Sequence, residues 1–491
     1  MKKENGKKQL SLMMVITFIT QILAIYKSTI TAANFGAGTE LDAYNFSNNL
    51  ATFLLTFVST GITTVVIPAY IKKTDNKAIN TFISVIFSAV IALMTLMYIF
   101  RMPLVHFLTK REEQFYGFVN EFFLLTIFIQ LIPSFLGVTT AYFQCENKYN
   151  IPKIILLISN IVVVSILVGL KSFTINTYLW ILLLGAIIQF IFDVLLAFKS
   201  GFRFRPQFNI HNKEFKNIFV VFIPTVFSSG LYKVQSLIDS LLTSNIGVGQ
   251  LTILTYSNTI VGMVNNMLIN NLCIYAYPKI VKAPEEKEQD VLWKYIVYFH
   301  GVICLLIVGF FAAGREFIGL LYEHGKFTPQ AADSVFICMC IYIFGQQNNI
   351  IRDLLYRFFY GHGNTKSTFK NSFMASIINI AVSIILVIPF GVFGIVLGTV
   401  IAGIYSLISI LIKFRKNYKF KFNKAFVISE LFKNEIALIL AIMAIFAIKE
   451  MFNIKSYVIS LLLYGAISVV VFLLILLITK SELINNIIKK E

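Results

Sequence analysis

Four basic side chains lie inside long apolar stretches of the sequence, where a charge needs a partner or a ligand. They are Lys27, Lys233, Arg352 and Arg357, and the acids in comparable positions are Asp239 and Asp353. In one interpretation the charges pair with each other, Asp353 with Arg357 at i, i+4 and Asp239 with Lys233. In the other, Lys27 and Arg357 bind an anion. Arginine suits phosphate through its planar fork of donors, and lysine acts as a point charge.

Uncharged polar side chains recur at helical spacing in similar stretches. Together with Lys27 and Arg357, the candidate substrate-binding residues are the uncharged Gln21, Asn45, Asn48, Asn49, Thr56, Asn258 and Asn265 and the charged Asp239 and Arg352. Polar stripes face a cavity or a neighbouring helix, because contact with lipid is costly. Close helix packing through small polar residues is the alternative. Asparagines at equivalent places in two halves of the chain favour a polar cavity.

Signals for catalysis, nucleotide binding or metal binding are poor. Gly36-x-Gly38 follows no strand and lacks the third glycine of a dinucleotide fingerprint, and there is no Walker A sequence. The five histidines and five cysteines show no spacing of a metal site, a disulfide framework or a catalytic triad. We therefore expect no catalytic residue, no metal site and no cofactor. Coupling to the membrane potential or to an ion of unknown identity stays open.

The composition is that of a polytopic helical membrane protein. The chain has 491 residues, of which 57% are hydrophobic and only 13% are charged, too few for a soluble surface. Apolar runs long enough to cross a bilayer recur throughout. We expect an all-α fold with about 14 spans at 10–34, 43–71, 79–101, 117–143, 153–171, 175–198, 217–244, 251–278, 294–313, 331–359, 369–389, 392–412, 434–450 and 457–479.

The net charge of +18 reflects topology rather than nucleic-acid binding. With the N-terminus inside, the predicted cytoplasmic segments hold most lysines and arginines, and both termini are cytoplasmic. The opening MKKENGKK leads into an apolar run without a cleavage site, which indicates a retained first span. The basic loop at 413–424 suits anionic membrane lipids or serves only as a topology signal.

An internal repeat divides the chain. FGAG at 35–38 matches IGVG at 246–249, and Pro68 matches Pro278, at an offset of 210–211 residues. Six spans separate the copies, so the halves are parallel repeats related by an axis along the membrane normal. The predicted organisation is an N-terminal six-helix lobe 1–198, a cytoplasmic connection 199–216, a C-terminal six-helix lobe 217–412, a basic cytoplasmic loop 413–433, and a final helix pair with a cytoplasmic tail 434–491.

The polar stretch NFGAGTELDAYNFSNN opens the second span. Gly36 and Gly38 are expected to form the outer turn. Thr39 and Asp42 then have the spacing of a capping box at the start of the next helix, where acids are favoured. This interpretation makes Thr39 and Asp42 structural caps and assigns substrate contact to the asparagines that follow.

FGAGTELDAYNF, IPAYIKK, LLYEHGKFTPQAAD and RFFYGHGNTKST together resemble the MurJ/MviN lipid II flippase family, over nearly the whole chain in order. That family belongs with Wzx-type polysaccharide flippases and MATE exporters. The resemblance implies two six-helix lobes around a cavity open alternately to each side, and a last helix pair flanking a groove for a lipid tail. It also implies a substrate of undecaprenyl pyrophosphate carrying a peptidoglycan disaccharide-peptide.

Carried over by position, the resemblance implies that Lys27 takes the place of a cavity arginine in the first span. It also implies that Arg357 matches the arginine of the family's R-x-FYA…DTKTP pattern and that Asp42 matches the family's acid after FGAG. The sequence departs from the family at other cationic positions. Gln21 and Thr56 replace arginines, and Asn258, Thr259 and Gly262 replace a charged cluster.

The hypothesis is a non-enzymatic flippase for lipid II in a bacterial cytoplasmic membrane. Lys27 and Arg357 would hold the pyrophosphate, and the asparagines would bond the sugars. The fewer cations leave open another lipid-linked saccharide of capsule or O-antigen type. A MATE-like cation-coupled antiporter is a further alternative, for which the first lobe offers only Asp193. Expected partners are the undecaprenyl-linked glycolipid, membrane lipids and cell-wall synthesis machinery, and no nucleic acid.

Overall fold

The computed structural model describes residues 3–71, 75–146, 148–452, 454 and 456–482, and within helices it leaves undescribed the side chains of 3–11, 54, 56–65, 67–71, 221, 223–233 and 278. These residues form sixteen α-helices and one short π-helical segment, Asn265–Ile269, between α9 and α10. The helices are α1 Lys3–Phe35, α2 Thr39–Ile71, α3 Asn76–Ile99, α4 Arg101–Leu108, α5 Glu113–Cys145, α6 Asn150–Gly169, α7 Ile175–Lys199, α8 Lys213–Ser244, α9 Gln250–Val264, α10 Asn270–Val281, α11 Glu288–Tyr322, α12 Pro329–Gly361, α13 Thr365–Phe390, α14 Val392–Tyr418, α15 Lys424–Met451 and α16 Tyr457–Ile478.

Each predicted span coincides with helical structure, and the all-α fold is confirmed. Within the described residues, eleven helices are long and apolar enough to cross a membrane. The predicted spans outside this set are α2, α8 and the interrupted pair α9 and α10. Large parts of α2 and α8 lie outside the described side chains, and the π-helical segment divides the third of these spans, so the count of 14 stays a prediction. The short helix α4 was not predicted, because the sequence analysis assigned those residues to a span end and a loop.

The chain divides into two compact units, Met1–Thr252 and Ile253–Glu491. This division falls one helix later than the lobe boundary expected from the repeat. The reason is that α8 packs against α2 and α3 and so belongs to the first unit. Elsewhere in that unit α2 packs on α5, α5 on α7, and α1 on α6.

Helix α11 is the centre of the second unit and packs against α12, α15 and α16. Its buried face carries small and branched apolar side chains such as Ile303 and Ile307, which meet Leu354 of α12 and Phe472 of α16 in one core. On the outer faces of other helices of this unit, large apolar side chains are exposed; Ile388 of α13, for example, is 85% exposed. Apolar exposure of this kind suits contact with lipid tails rather than water.

Candidate functional site

The carboxylate of Asp42, near the start of α2, is buried and accepts four hydrogen bonds. Oδ1 accepts from the backbone N–H and the hydroxyl of Thr252, at 2.9 and 2.8 Å. Oδ2 accepts from the backbone N–H of Gly249 at 2.7 Å and from the guanidinium of Arg111 at 3.3 Å. Since a carboxylate offers about four acceptor sites, all the acceptor sites of this buried group are used.

Asp42 therefore caps α9 rather than its own helix. Gly249 directly precedes α9 and Thr252 lies in its first turn, where backbone donors have no partner within the helix and negative charge is favourable. The predicted capping box of Thr39 and Asp42 is wrong in its partner. Helix α2 begins at Thr39 itself, and the acceptor groups of Asp42 are directed at the second copy of the repeat.

Arg111 fixes the loop after α4 to the loop between α8 and α9. Its guanidinium donates to Asp42 and also to the carbonyl oxygens of Ser244 at 2.8 Å and Gly247 at 2.6 Å. Beside it, the N–H of Lys110 donates to the side chain of Asn245 at 2.6 Å. These loops line a cavity of about 300 Å³ that also includes Thr39.

The two glycine turns of the repeat lie against each other. Gly249 has a φ of +79°, and a Cβ added there would lie 2.6 Å from the carbonyl oxygen of Ala37. Only glycine combines this left-handed backbone with such a close approach. The predicted outer turn between α1 and α2 is formed by residues 36–38, with Gly36 at a φ of 66°.

The asparagines of α2 are engaged by neighbouring helices of the first unit. Asn45 donates to the hydroxyl of Thr252 at 3.2 Å, and Asn49 donates to the hydroxyl of Ser240 on α8 at 3.1 Å. The side-chain oxygen of Asn48 accepts from Gln130 on α5 at 2.6 Å. In this structure the three amides therefore serve helix packing, the alternative that the sequence left open.

The intramembrane cations differ in their surroundings. Arg352 pairs with the adjacent Asp353, with nitrogen–oxygen distances of 3.0 and 2.9 Å. Pairing of Asp353 with Arg357 was the expected alternative, but the guanidinium of Arg357 lies 6.0 Å from the ring centroid of Tyr277. Among the described residues, no carboxylate lies within salt-bridge distance of Arg357 or of the half-buried Lys27. The side chain of Lys233 lies outside the described residues, so its proposed pairing with Asp239 stays a prediction.

Polar groups of the second unit are concentrated where α9 gives way to the π-helical segment. Asn258 is exposed, and Asn265 is the first residue of the segment. The N–H of Asn270 donates to the carbonyl of Asn265, and the Asn270 side chain donates to that of Asn266 at 3.2 Å. Such insertions into membrane helices re-aim side chains and are frequent at functional sites.

The remaining candidate substrate-binding residues are Gln21, Asp239 and Thr56. Gln21 lies half-buried on α1, and Asp239 lies half-buried on α8, its carbonyl accepting from the hydroxyl of Thr243. The side chain of Thr56 lies outside the described residues.

Comparison with known protein families shows which family the chain belongs to. The family model described as "Lipid II flippase MurJ" matches residues 31–467. The chain belongs to the MurJ family. The resemblance drawn from the sequence motifs is thereby confirmed, and the chain is a multi-pass inner-membrane protein.

Several probable lipid II flippases of the MurJ family are similar to this chain. The protein of Thermotoga maritima is 23% identical over 424 residues, covering 83% of this chain and 85% of that protein. The Helicobacter pylori protein (strain J99) is 23% identical over 227 residues, 44% of this chain. The latter match spans only 49% of the relative's length, so the aligned region is about half of that protein.

Solved structures agree on the fold. A structure titled as the lipid II flippase MurJ in an inward closed conformation is 20% identical, with a TM-score of 0.80 over 97% of this chain and 99% of that one. An inward-facing multidrug resistance MATE family transporter of the MOP superfamily is 13% identical, with a TM-score of 0.60 over 80% of this chain and 94% of that one. The MurJ fold thus fits better and more completely than the MATE fold.

Within this MurJ-family fold, the contacts of Arg111, Gly249 and Thr252 with Asp42 were not predicted from the sequence. For Arg111 the sequence carries no signal, since nothing local shows that its loop meets the turn before α9. The repeat carried a usable signal for the other two, because Gly249 matches Gly38 at an offset of 211 residues and Thr252 lies 210 residues after Asp42. The proximity of His300, Cys304 and Glu435 was not predicted either. The available signal was the i, i+4 spacing of His300 and Cys304.

Proposed function

We propose that this protein is a flippase that moves lipid II, an undecaprenyl-pyrophosphate-linked peptidoglycan precursor, across the cytoplasmic membrane. The match of residues 31–467 to the lipid II flippase family carries this proposal. The polar faces on otherwise apolar helices support it, because a glycolipid headgroup needs a hydrated path through the bilayer. The proposed orientation places both termini in the cytoplasm, following the basic bias of the loops.

The proposed pyrophosphate contacts are Lys27 and Arg357. Both are intramembrane cations, and in the described part of the chain neither forms a salt bridge with a carboxylate. A pyrophosphate could therefore supply the compensating charge. Arg352 is a weaker candidate, because Asp353 already accepts two hydrogen bonds from its guanidinium.

The proposed sugar and peptide contacts are the uncharged polar side chains together with Asp239. Asn258 and Asn265 have the best support, since one is exposed and the other begins the π-helical segment. Gln21 and Thr56 extend the polar stripes of α1 and α2. Asn45, Asn48 and Asn49 hold α2 to its neighbours in this structure, and we propose that they reach the substrate only after those bonds exchange.

Alternating access is the proposed mechanism, as in other transporters built from repeats. The buried bonds of Asp42 join the first turn of α2 to the start of α9, at the side that would face outward in the proposed orientation. We propose that opening to the outside requires these bonds to break, which would make Asp42 and Arg111 part of an outer gate. Membrane lipids and the cell-wall synthesis machinery are the proposed partners.

Depletion of the protein tests the transport proposal. Lipid II is expected to accumulate on the inner leaflet, and cells are expected to lose wall integrity. Leaflet-resolved labelling of lipid-linked intermediates measures this directly. Normal lipid II distribution after full depletion would contradict the assignment.

A second candidate is a flippase for another lipid-linked polysaccharide unit. The observation in its favour is the uncharged set Asn258, Thr259 and Gly262 in α9, where the resemblance implies a charged cluster. Accumulation of a different undecaprenyl-linked intermediate in the same labelling experiment would favour it. A MATE-like antiporter has only the weaker fold similarity in its support.

A further inference from the structure

A buried histidine, a buried cysteine and a glutamate meet between α11 and α15, away from every residue assigned above. The Nε2 of His300 lies 3.1 Å from Oε1 of Glu435. On the other side of the ring, Nδ1 lies 3.6 Å from Sγ of Cys304, one helical turn along α11. His300 and Cys304 are buried, whereas the Glu435 side chain is 39% exposed.

The three side chains present a set of donors suited to a metal ion. One ligand atom from each lies within 4.8 Å of the others, and in the described part of the chain no other group of three such residues meets this condition. We propose that His300, Cys304 and Glu435 form a binding site for a divalent transition-metal ion, with Zn²⁺ as the best match. Imidazole, thiolate and carboxylate are the three ligand types that zinc accepts.

The spacing of two donors already fits a tetrahedral site. Bond lengths of roughly 2.0–2.3 Å place neighbouring tetrahedral ligands about 3.3–3.7 Å apart. The separation of 3.6 Å between Nδ1 and Sγ lies in this range. To bind the metal, the carboxylate of Glu435, whose side chain is 39% exposed, would leave Nε2 and turn toward Nδ1 and Sγ.

A fourth group stands next to the thiol. The side-chain amide of Gln347 on α12 lies with its nitrogen 3.5 Å from Sγ of Cys304. Amide nitrogen and oxygen are assigned from hydrogen bonding, so rotation of the amide by half a turn offers its oxygen instead. Gln347 or a water molecule can complete the coordination shell.

The charge balance favours a divalent ion in this apolar setting. On binding, the thiol of Cys304 loses its proton to solvent, and metal–sulfur and metal–nitrogen bonds form without any change of oxidation state. One thiolate and one carboxylate then neutralise the two positive charges. The metal would tie α15 to α11, the helix at the centre of the second unit.

Cobalt is the direct probe of this site, because Co²⁺ bound to thiolate gives a strong charge-transfer absorption. Full-length protein in detergent would be reduced, stripped with a chelator and titrated with Co²⁺. We expect one equivalent to bind with that absorption, and Zn²⁺ to displace it. Cys304→Ser should abolish the band, His300→Asn should weaken binding at least tenfold, and Glu435→Gln should weaken it severalfold.

Cys340→Ser is the matched control, since this cysteine also lies in the second unit but outside the cluster. It should bind cobalt as the parent protein does. A second readout is the increase in Tm on adding Zn²⁺, which we expect in the parent protein and not in Glu435→Gln. This comparison does not depend on a substitution at a buried residue. Absence of the band in the parent protein overturns the proposal. Equal binding in all variants also overturns it, because that result would indicate an adventitious ion only. Because no step concerns transport, this result is independent of the flippase assignment.

Discussion

The carboxylate of Asp42 accepts hydrogen bonds from both the backbone and the hydroxyl of Thr252, a residue 210 positions further along the chain. Since the repeat has an offset of 210–211 residues, Thr252 lies at or next to the position that matches Asp42. A second acid at position 252 would therefore face the first across a buried contact and repel it.

Removal of the Asp42 charge tests this contact. Asp42→Asn keeps the shape but loses the charge-assisted bonds to Gly249, Thr252 and Arg111, and an amide hydrogen must face a backbone donor. We expect a loss of about 3 kcal/mol in stability. Thermal unfolding in detergent should show a lower Tm. Glu112→Gln, an exposed acid next to Arg111, is the control and should leave Tm unchanged. Equal Tm values for both variants would contradict a stabilising role for the cap.

Substitution of Gly249 tests the close approach of the two turns. In Gly249→Ala the new Cβ would lie 2.6 Å from the Ala37 carbonyl oxygen, in a left-handed backbone conformation. We expect a cost of about 2 kcal/mol or more. Gly117→Ala, within α5 and without a neighbour within 4 Å of the added Cβ, should stabilise slightly instead. The measurement is the difference in Tm, and a neutral Gly249→Ala would mean that the turns separate easily.

Thr252 links Asp42 to Asn45, because its hydroxyl donates to the acid and accepts from the amide. Thr252→Val keeps the volume and removes both bonds, and Asn45→Ala removes one. We expect each to cost about 1–2 kcal/mol, with a coupling of about 1 kcal/mol in the double variant. A double-mutant cycle on unfolding free energies measures the coupling. Strict additivity would show that the two side chains act independently.

Charge removal at Lys27 and Arg357 tests the proposed pyrophosphate site. Lys27→Ala and Arg357→Ala should each weaken binding of purified lipid II by roughly tenfold or more, because each charge-assisted hydrogen bond contributes about 1.5–3 kcal/mol. Growth supported by the variants should fall in parallel. Lys171→Ala, an exposed lysine between α6 and α7, is the control. Normal Tm with unchanged affinity in both cation variants would remove them from the site while leaving the flippase assignment intact.

Much of the fold followed from the sequence because its determinants are local. A run of about 20 apolar residues has to be helical in lipid, so each predicted span coincides with a helix. The glycine turn at 36–38 was also predicted, since few other residues tolerate its backbone. The helix α4 was missed because it lies in the stretch assigned to a loop between two spans, and the π-helical segment was missed because nothing in the helical periodicity marks one extra residue in a turn.

The sequence by itself determined the helical membrane fold, the family, the repeat and the candidate cations at Lys27 and Arg357. Only the tertiary structure decided which groups those residues meet. In the structure Asp42 accepts hydrogen bonds at the start of α9, not from α2. Asp353 pairs with Arg352 instead of Arg357, and Glu435 of α15 pairs with His300 of α11. The physical reason is that hydrophobicity and turn chemistry act over a few residues, whereas a polar group in a membrane takes the nearest partner in space, which can lie 200 residues away in the chain.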